Sequence, residues 1–317
     1  MSPNSWICLH PSNATQTTVS LDNRGLAYGD GFFTTMGVID GQILWLDYHQ
    51  QRLVSHATAL QLQLDSQLLL AMLKIHAKQL QQGMLKLIIT RAEQEVRGYG
   101  YTPNIGGGSA CEIWLKSSPM AITTARSLPL ADGQFIPLQP TASAICLSSQ
   151  IACLPPMLAG LKSLNRLDNV LASGELQAIK AKTLAGTIKP SIAEGLLRDM
   201  SGQWVEGTMS NVFYQLVEAP VAKSSNRPHS QNNSNSNYLT QGQWYTPSMA
   251  QSGVAGVMRQ VIIDTLSTSN NPVIIRSLQD EDLPHLSQLF FCNALRGIMP
   301  MSSLRLLSGE VVSFEAI

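Results

Sequence analysis

Charged residues are scarce in this chain of 317 residues, at 13%, which is about half the share of a typical soluble domain. Lysine plus arginine and aspartate plus glutamate each number 21, so the formal net charge is zero. Proteins that bind nucleic acid or anionic membrane surfaces need a basic excess or a basic patch. We therefore expect neither a nucleic-acid partner nor a membrane partner.

Long hydrophobic runs and secretory features are also missing. The longest apolar candidate, 68–73, is soon followed by Lys74 and Lys78, whereas a membrane-spanning helix needs roughly 18 apolar residues. The first eight residues have no basic stretch followed by an apolar segment and a small-residue cleavage site. We expect a cytoplasmic protein.

Cysteine and histidine patterns give no sign of a metal site. The five cysteines form no C-x-x-C pair, and the six histidines are scattered. His49 and His56 lie seven residues apart without an acidic or cysteine neighbour at ligand spacing. We therefore expect reduced cysteines and no metal.

The order of the predicted elements favours an α/β or mixed α+β fold. At roughly 150 residues per domain, the length predicts two domains. Predicted strands cover 42–46, 84–91, 110–116, 143–149, 195–200 and 211–216, and predicted helices cover 66–82 and an apolar stripe after Lys162. Such alternation is typical of folds in which helices cover sheets.

A segment rich in proline, serine and threonine divides the chain. We predict a smaller N-terminal α/β domain at 1–118, an interdomain linker at 119–142 and a larger C-terminal domain at 143–317. Residues 224–237 are polar and of low complexity, so we expect a surface insertion there.

Two segments have features of an anion site. The loop 253–259, GVAGVMR, precedes an amphipathic run, so the amides of Val257 and Met258 would lie at a helix start, where anions bind. Arg52 could supply a cation. The alternatives are an ordinary glycine turn and a solvent-exposed arginine.

Lys162 and Glu206 are candidates for chemistry. Lys162 lies among apolar residues directly before a predicted helix, where burial and the helix dipole would both lower the pKa of its amine. Glu206 ends a strand and is followed by small residues that leave a pocket open. The alternatives are a lysine that reaches water and a glutamate on an exposed edge.

Six segments, in chain order, resemble the motifs of fold type IV enzymes that depend on pyridoxal 5'-phosphate. They are RGLAYGDGFFTT at 24–35, HQQRL at 49–53, AGLKSLNRLDNVL at 159–171, EGTMSNVF at 206–213, GVAGVMR at 253–259 and FCNALRGIMP at 291–300. Three of them, K-x-L-N-R-L, G-V-x-G-V-M-R and C-N-A-L, are more similar to the aminodeoxychorismate lyases than to branched-chain or D-amino-acid aminotransferases.

This resemblance implies a two-domain enzyme with pyridoxal 5'-phosphate in the cleft between the domains. Lys162 would bind the cofactor covalently and later move protons, and Glu206 would pair with the protonated pyridine nitrogen. Arg52 and the amides of Val257 and Met258 would bind the phosphate.

The resemblance also implies a homodimer acting on 4-amino-4-deoxychorismate, which it would convert to 4-aminobenzoate and pyruvate for folate biosynthesis. Arg97 and the main chain of Ala294 and Leu295 would contact this substrate, and so would either Thr34 or Thr35, since strand alternation exposes only one of the two. The segment 149–157 lacks the arginines that relatives often have there.

Two other functions remain open. An aminotransferase of the same fold, acting on D- or branched-chain amino acids, would use the same cofactor residues. A non-enzymatic binding module would require the loss of a cofactor residue, and none is missing from the motifs.

Overall fold

Two β-sheets, one from each half of the chain, organise the fold. The computed structural model describes residues 6–9, 18–103, 110–122, 126–130, 135–183, 192–217 and 238–314. The first sheet contains β1 (Trp6–Cys8), β2 (Gly31–Ile39), β3 (Gln42–Ile43), β4 (Gly83–Arg91) and β5 (Cys111–Pro119). Its strand order is β1-β5-β4-β2-β3, and all its pairs are antiparallel.

Three helices belong to this half: α1 (Arg24–Tyr28), α2 (Leu46–Ala59) and α3 (Ser66–Leu80). The α3 helix begins after Asp65, whose carboxylate accepts the amide of Leu68 at 2.9 Å, as an N-cap residue does. Leu69, Leu73 and Ala77 recur at helical spacing and are buried against the sheet. The predicted helix at 66–82 is therefore confirmed.

The second sheet is larger and partly closed. Its strands are β6 (Arg126–Pro129), β7 (Phe135–Leu138), β8 (Ala142–Ile151), β9 (Ile192–Asp199), β10 (Trp204–Gly207), β11 (Asn211–Leu216), β12 (Tyr245–Thr246), β13 (Ile274–Ile275), β14 (Leu286–Asn293), β15 (Gly297–Arg305) and β16 (Val311–Ser313). Pairing runs from β8 through β9, β10, β11, β14 and β15 and returns to β8, which makes a closed ring. Trp204, Tyr214 and Phe291 belong to one buried apolar cluster, to which the strands of this ring contribute.

In the described part of the second half there are two α-helices, α4 (Leu167–Thr183) and α5 (Val257–Leu266). Short 3-10 segments cover Tyr238–Thr240 and Asp280–His285. A helix after Lys162 was predicted correctly, but its apolar stripe is only partly buried: Ile179 packs on the sheet, whereas three other residues do not. Leu167, Val170 and Leu171 are 68%, 63% and 68% exposed, while Ala172 and Leu176 pack on the sheet.

The segment 119–142, predicted as a linker, contains β6 and β7, and both strands belong to the second sheet. Short strands that contain proline lack the period that sequence analysis detects, which explains the miss. The predicted insertion at 224–237 lies outside the described residues. None of the helices that the structure describes is long and apolar enough to cross a membrane.

The halves meet where α2 packs on α5. Trp45, just before α2, shares one apolar cluster with Val257 and Met258 at the start of α5. This packing brings the polar side of α2 to the loop before α5, although the two segments are about 200 residues apart in sequence.

Candidate active site

A cavity of about 580 Å³ is lined by residues from both halves of the chain. Strands β2 and β4 contribute one wall, and the segment before α4, the β10–β11 turn, the loop before α5 and the β14–β15 turn contribute the others. Lys162, Glu206, Arg52 and Val257, which the sequence nominated separately, all line it.

Lys162 lies in an irregular segment that is held on two sides. Its carbonyl accepts the amide of Phe33 at 3.0 Å, and its own amide donates to Nε2 of His56 at 2.9 Å. The Nζ atom lies 4.5 Å from the centre of the Phe33 ring. Burial lowers the pKa of Lys162 to about 8, and the nearby guanidinium of Arg52 adds to the fall.

Of the two predicted causes of this lowered pKa, burial is confirmed as the largest, whereas the geometry does not support the helix dipole. The helix α4 begins at Leu167, five residues after Lys162, so the amine does not stand at its first turn. Desolvation together with neighbouring cations therefore explains the lowered pKa without the helix dipole. The consequence for the chemistry is the same, because part of the Lys162 amine is unprotonated near neutral pH.

Glu206 is a buried carboxylate, 3% exposed, at the end of β10. Its Oε2 accepts the amide of Val254 at 2.9 Å, and the side-chain amide of Asn211 lies 3.4 Å from the same oxygen. Burial raises the pKa of Glu206 to about 7, although the amide of Val254, the side chain of Asn169 and the cations Arg166 and Lys162 oppose the rise. A cation placed against this carboxylate would lower the pKa of Glu206, so that the side chain would stay ionised at lower pH.

An anion site lies at the start of α5. The helix begins at Val257 after Gly256, no described side chain caps its first turn, and no acidic residue lies there. Arg52 is 8% exposed and donates from Nη2 to the carbonyl of Ala255 at 2.7 Å. Free helix amides and a fixed guanidinium together suit a phosphate.

The charge of the cavity also calls for an anionic ligand. Among the described lining residues the cations are Arg52, Lys86, Lys162, Arg166 and Arg296, and the one carboxylate is Glu206. Buried charge of one sign is costly unless a partner neutralises it. A phosphate, an aldehyde for the Lys162 amine and a ring nitrogen for Glu206 are the groups of pyridoxal 5'-phosphate, so the residues present fit this cofactor.

The predicted substrate residues divide into those that line the cavity and those that do not. Thr35 lines it, whereas Thr34 is fully buried on the other face of β2 and pairs with Nδ1 of His49 at 3.0 Å. Ala294 and Leu295 also line the cavity. Their turn is fixed because Oδ1 of Asn293 accepts the amide of Leu295 at 3.1 Å.

Arg97 does not line the cavity of its own chain. It lies in an exposed segment before Tyr99, and that segment is tied to Arg24, which donates to the carbonyls of Gly98 and Tyr99 at 3.3 and 3.1 Å. Its substrate contact stays a prediction.

Sequence reasoning missed five polar residues near the cavity that bear on the argument. Lys86, Arg166 and Arg296 line it, and His56 contacts the main chain of Lys162. Glu194 is buried on β9 and supports the β10–β11 turn, since its carboxylate accepts the hydroxyls of Thr208 and Ser210 at 2.5 and 2.7 Å.

Comparisons with known proteins agree with this geometry. Residues 31–304 match the amino-transferase class IV family. The chain is 24% identical to an aminodeoxychorismate lyase of Vibrio harveyi, over 91% of this chain and 88% of the relative, and 25% identical to a putative branched-chain-amino-acid aminotransferase of Methanocaldococcus jannaschii, over 94% and 86%. The crystal structure of 4-amino-4-deoxychorismate lyase from Pseudomonas aeruginosa is 29% identical and superposes with a TM-score of 0.70, covering 95% of this chain and 92% of that one. The predicted fold type IV architecture is confirmed.

Proposed function

The chain belongs to the class IV aminotransferase family, and on this premise we propose that it is a lyase dependent on pyridoxal 5'-phosphate. Its reaction converts 4-amino-4-deoxychorismate to 4-aminobenzoate and pyruvate. The similarity to the lyases of Vibrio harveyi and Pseudomonas aeruginosa supports this choice, although the putative aminotransferase of Methanocaldococcus jannaschii is about as similar in sequence. The choice between a lyase and an aminotransferase therefore depends on the residues that line the cavity.

The cofactor would be held by four parts of the chain. Arg52 and the amides of Val257 and Met258 would bind the phosphate, Glu206 would pair with the ring nitrogen, and Lys162 would bind the aldehyde carbon. When bound, the cofactor withdraws electrons from the substrate carbon next to the nitrogen. Glu206 favours this withdrawal because its carboxylate keeps the ring nitrogen protonated.

Lys162 has a second task, which is proton transfer. Burial lowers the pKa of its Nζ to about 8 in the protein without cofactor, and this amine would act on the substrate carbon that bears nitrogen. It removes the proton from that carbon, as a general base with a pKa near the working pH does efficiently. The enolpyruvyl group would then leave as enolpyruvate, which takes up a proton and becomes pyruvate, and the carbon ring would become aromatic.

The cation excess is the observation that favours the lyase over an aminotransferase. After Arg52 is assigned to phosphate and Lys162 to the reaction, Lys86, Arg166 and Arg296 remain. No described carboxylate lies within ion-pair distance of these three. Aminodeoxychorismate has two carboxylates, whereas a branched-chain amino acid has one carboxylate and an apolar side chain, so the dicarboxylate fits this charge better.

The test follows both products. Purified protein saturated with pyridoxal 5'-phosphate is mixed with aminodeoxychorismate, and 4-aminobenzoate and pyruvate are measured together. Equal amounts of both, dependent on the cofactor, are expected. Conversion of the bound cofactor to its amine form by a D- or branched-chain amino acid, without 4-aminobenzoate, would instead assign an aminotransferase.

A homodimer is part of the same proposal. Three apolar residues of α4, Leu167, Val170 and Leu171, are exposed in the single chain, and Val170 also lines the cavity. If a second copy of the chain packed against α4, this apolar surface would be removed from water. Sedimentation velocity should give about twice the chain mass, and a monomer at micromolar concentration would contradict the dimer.

A further inference from the structure

We propose that His56 is a positioning residue that ties the main chain of Lys162 to the helix that carries Arg52. Neither the family comparison nor the motif analysis gives His56 a role. The inference rests on the proposed role of Lys162 as the cofactor lysine. It does not depend on which substrate the enzyme uses.

Two hydrogen bonds support the main chain of Lys162. Residues 161–166 form neither helix nor regular strand, so their amides have no continuous ladder of partners. The amide of Lys162 donates to Nε2 of His56 at 2.9 Å, while Phe33 holds the carbonyl. The imidazole is thus the side chain that fixes the amide end of the reactive lysine.

The next step is the orientation of the imidazole ring. A backbone N–H can only donate, so Nε2 of His56 must be the unprotonated nitrogen and Nδ1 must carry the hydrogen. Nδ1 lies 3.2 Å from the hydroxyl of Ser55, and this hydroxyl donates to the carbonyl of Arg52 at 3.2 Å. The ring also packs edge-on against Phe32 at 5.3 Å.

A connected path therefore runs from Lys162 through His56 and Ser55 to Arg52. Lys162 and Arg52 come from different halves of the chain, and this path joins their main chains, from which the amine and the guanidinium project. Small displacements of a reacting group lower catalytic rates strongly.

The last step is the charge of the ring. His56 is 4% exposed, and its pKa falls to about 3 because it is buried and because Arg52, Arg166 and Lys162 are close. The imidazole thus stays neutral at working pH and never loses its capacity to accept the Lys162 amide. A protonated ring could not accept it.

The experiment compares two variants of the holoenzyme. His56→Leu removes the acceptor at similar size, whereas His56→Gln keeps a carbonyl oxygen of similar reach. We expect His56→Leu to lower kcat about tenfold with KM changed less than about twofold, and to shift the pKa of the absorbance change at the Lys162–cofactor bond. His56→Gln should restore most of both properties, and equal behaviour of the two variants, or wild-type behaviour of His56→Leu, would overturn the proposal.

A second measurement needs neither turnover nor a stable leucine variant. Long-range nitrogen–proton NMR of the wild-type protein, with the His56 signals assigned by their loss in His56→Gln, reports which ring nitrogen carries hydrogen. We expect hydrogen on Nδ1 and no protonation of the ring down to pH 5. Hydrogen on Nε2, or a ring that titrates near pH 6.5, would overturn the proposal, even if the protein proved to be an aminotransferase.

Discussion

The cavity contains two sets of polar groups that differ in how they are held. The buried set is Arg52, Lys162 and Glu206. The Arg52 guanidinium donates to the carbonyl of Ala255, the Glu206 carboxylate accepts the amide of Val254, and the main-chain amide of Lys162 donates to the imidazole of His56. The open set is Thr35, Lys86 and Arg296. Within the described residues, no side-chain hydrogen bond or ion pair holds these three, and Arg296 is exposed.

This difference matches two kinds of ligand. A resident cofactor needs groups that are fixed before it binds, because ordering them later would cost binding energy. A substrate enters and its product leaves in each turnover, so groups that wait unpaired in a partly open wall are suited to it. The buried set should therefore control the rate and the cofactor, and the open set should control KM.

Removal of the Lys162 amine should have the largest effect of any change in the buried set. We expect Lys162→Ala to lower turnover about a thousandfold or more, because both covalent attachment and proton transfer are lost. Formation of 4-aminobenzoate by the purified variant measures this. Lys182→Ala, an exposed lysine of α4, is the control, and near-normal turnover of Lys162→Ala would refute the mechanism.

A milder change within the buried set is Glu206→Gln. The amide can still accept the N–H of Val254, so the fold is retained, but it cannot keep a ring nitrogen protonated. We expect kcat to fall about a hundredfold while the cofactor stays bound. Steady-state kinetics and the absorbance spectrum of the variant test this, and an unchanged kcat would remove Glu206 from its proposed role.

A change in the open set should have a different signature. Lys86→Met should raise KM for aminodeoxychorismate about tenfold and leave kcat within about threefold, because one charged hydrogen bond to a carboxylate is lost. Lys116, directly opposite Lys86 on β5, does not line the cavity. Lys116→Met is therefore the matched control, and equal KM values for the two variants would abolish the distinction between the sets.

The same division separates what the sequence could predict from what it could not. The buried set lies in recognisable motifs, and the start of α5 at Val257 agrees with the glycine loop before it. Lys86 lies in an ordinary strand, and only its register opposite Thr35 brings it to the cavity. No local pattern reports such pairing between strands.

Two other misses have simpler physical causes. His56 follows Arg52 by four residues, so the two share one face of α2, and this spacing could have linked them. The exposure of the apolar stripe of α4 could not be predicted, because periodicity alone does not tell a face that packs inside one chain from a face left exposed.

The smallest expected effect concerns the pH dependence of the buried set. The pKa of Lys162, about 8 in the protein without cofactor, means that its amine is mostly protonated at pH 7 and half neutral at pH 8. Only the neutral amine attacks the aldehyde, so the rate of cofactor capture should rise about fivefold from pH 7 to pH 8 and level off above about pH 9. Stopped-flow absorbance measures this rate, and Nα-acetyllysine in solution, whose side-chain amine keeps its ordinary pKa, is the control. If the rate of cofactor capture still rises tenfold per pH unit above pH 9, burial does not lower the pKa of Lys162. The lowered pKa would then no longer distinguish the buried set from the open set.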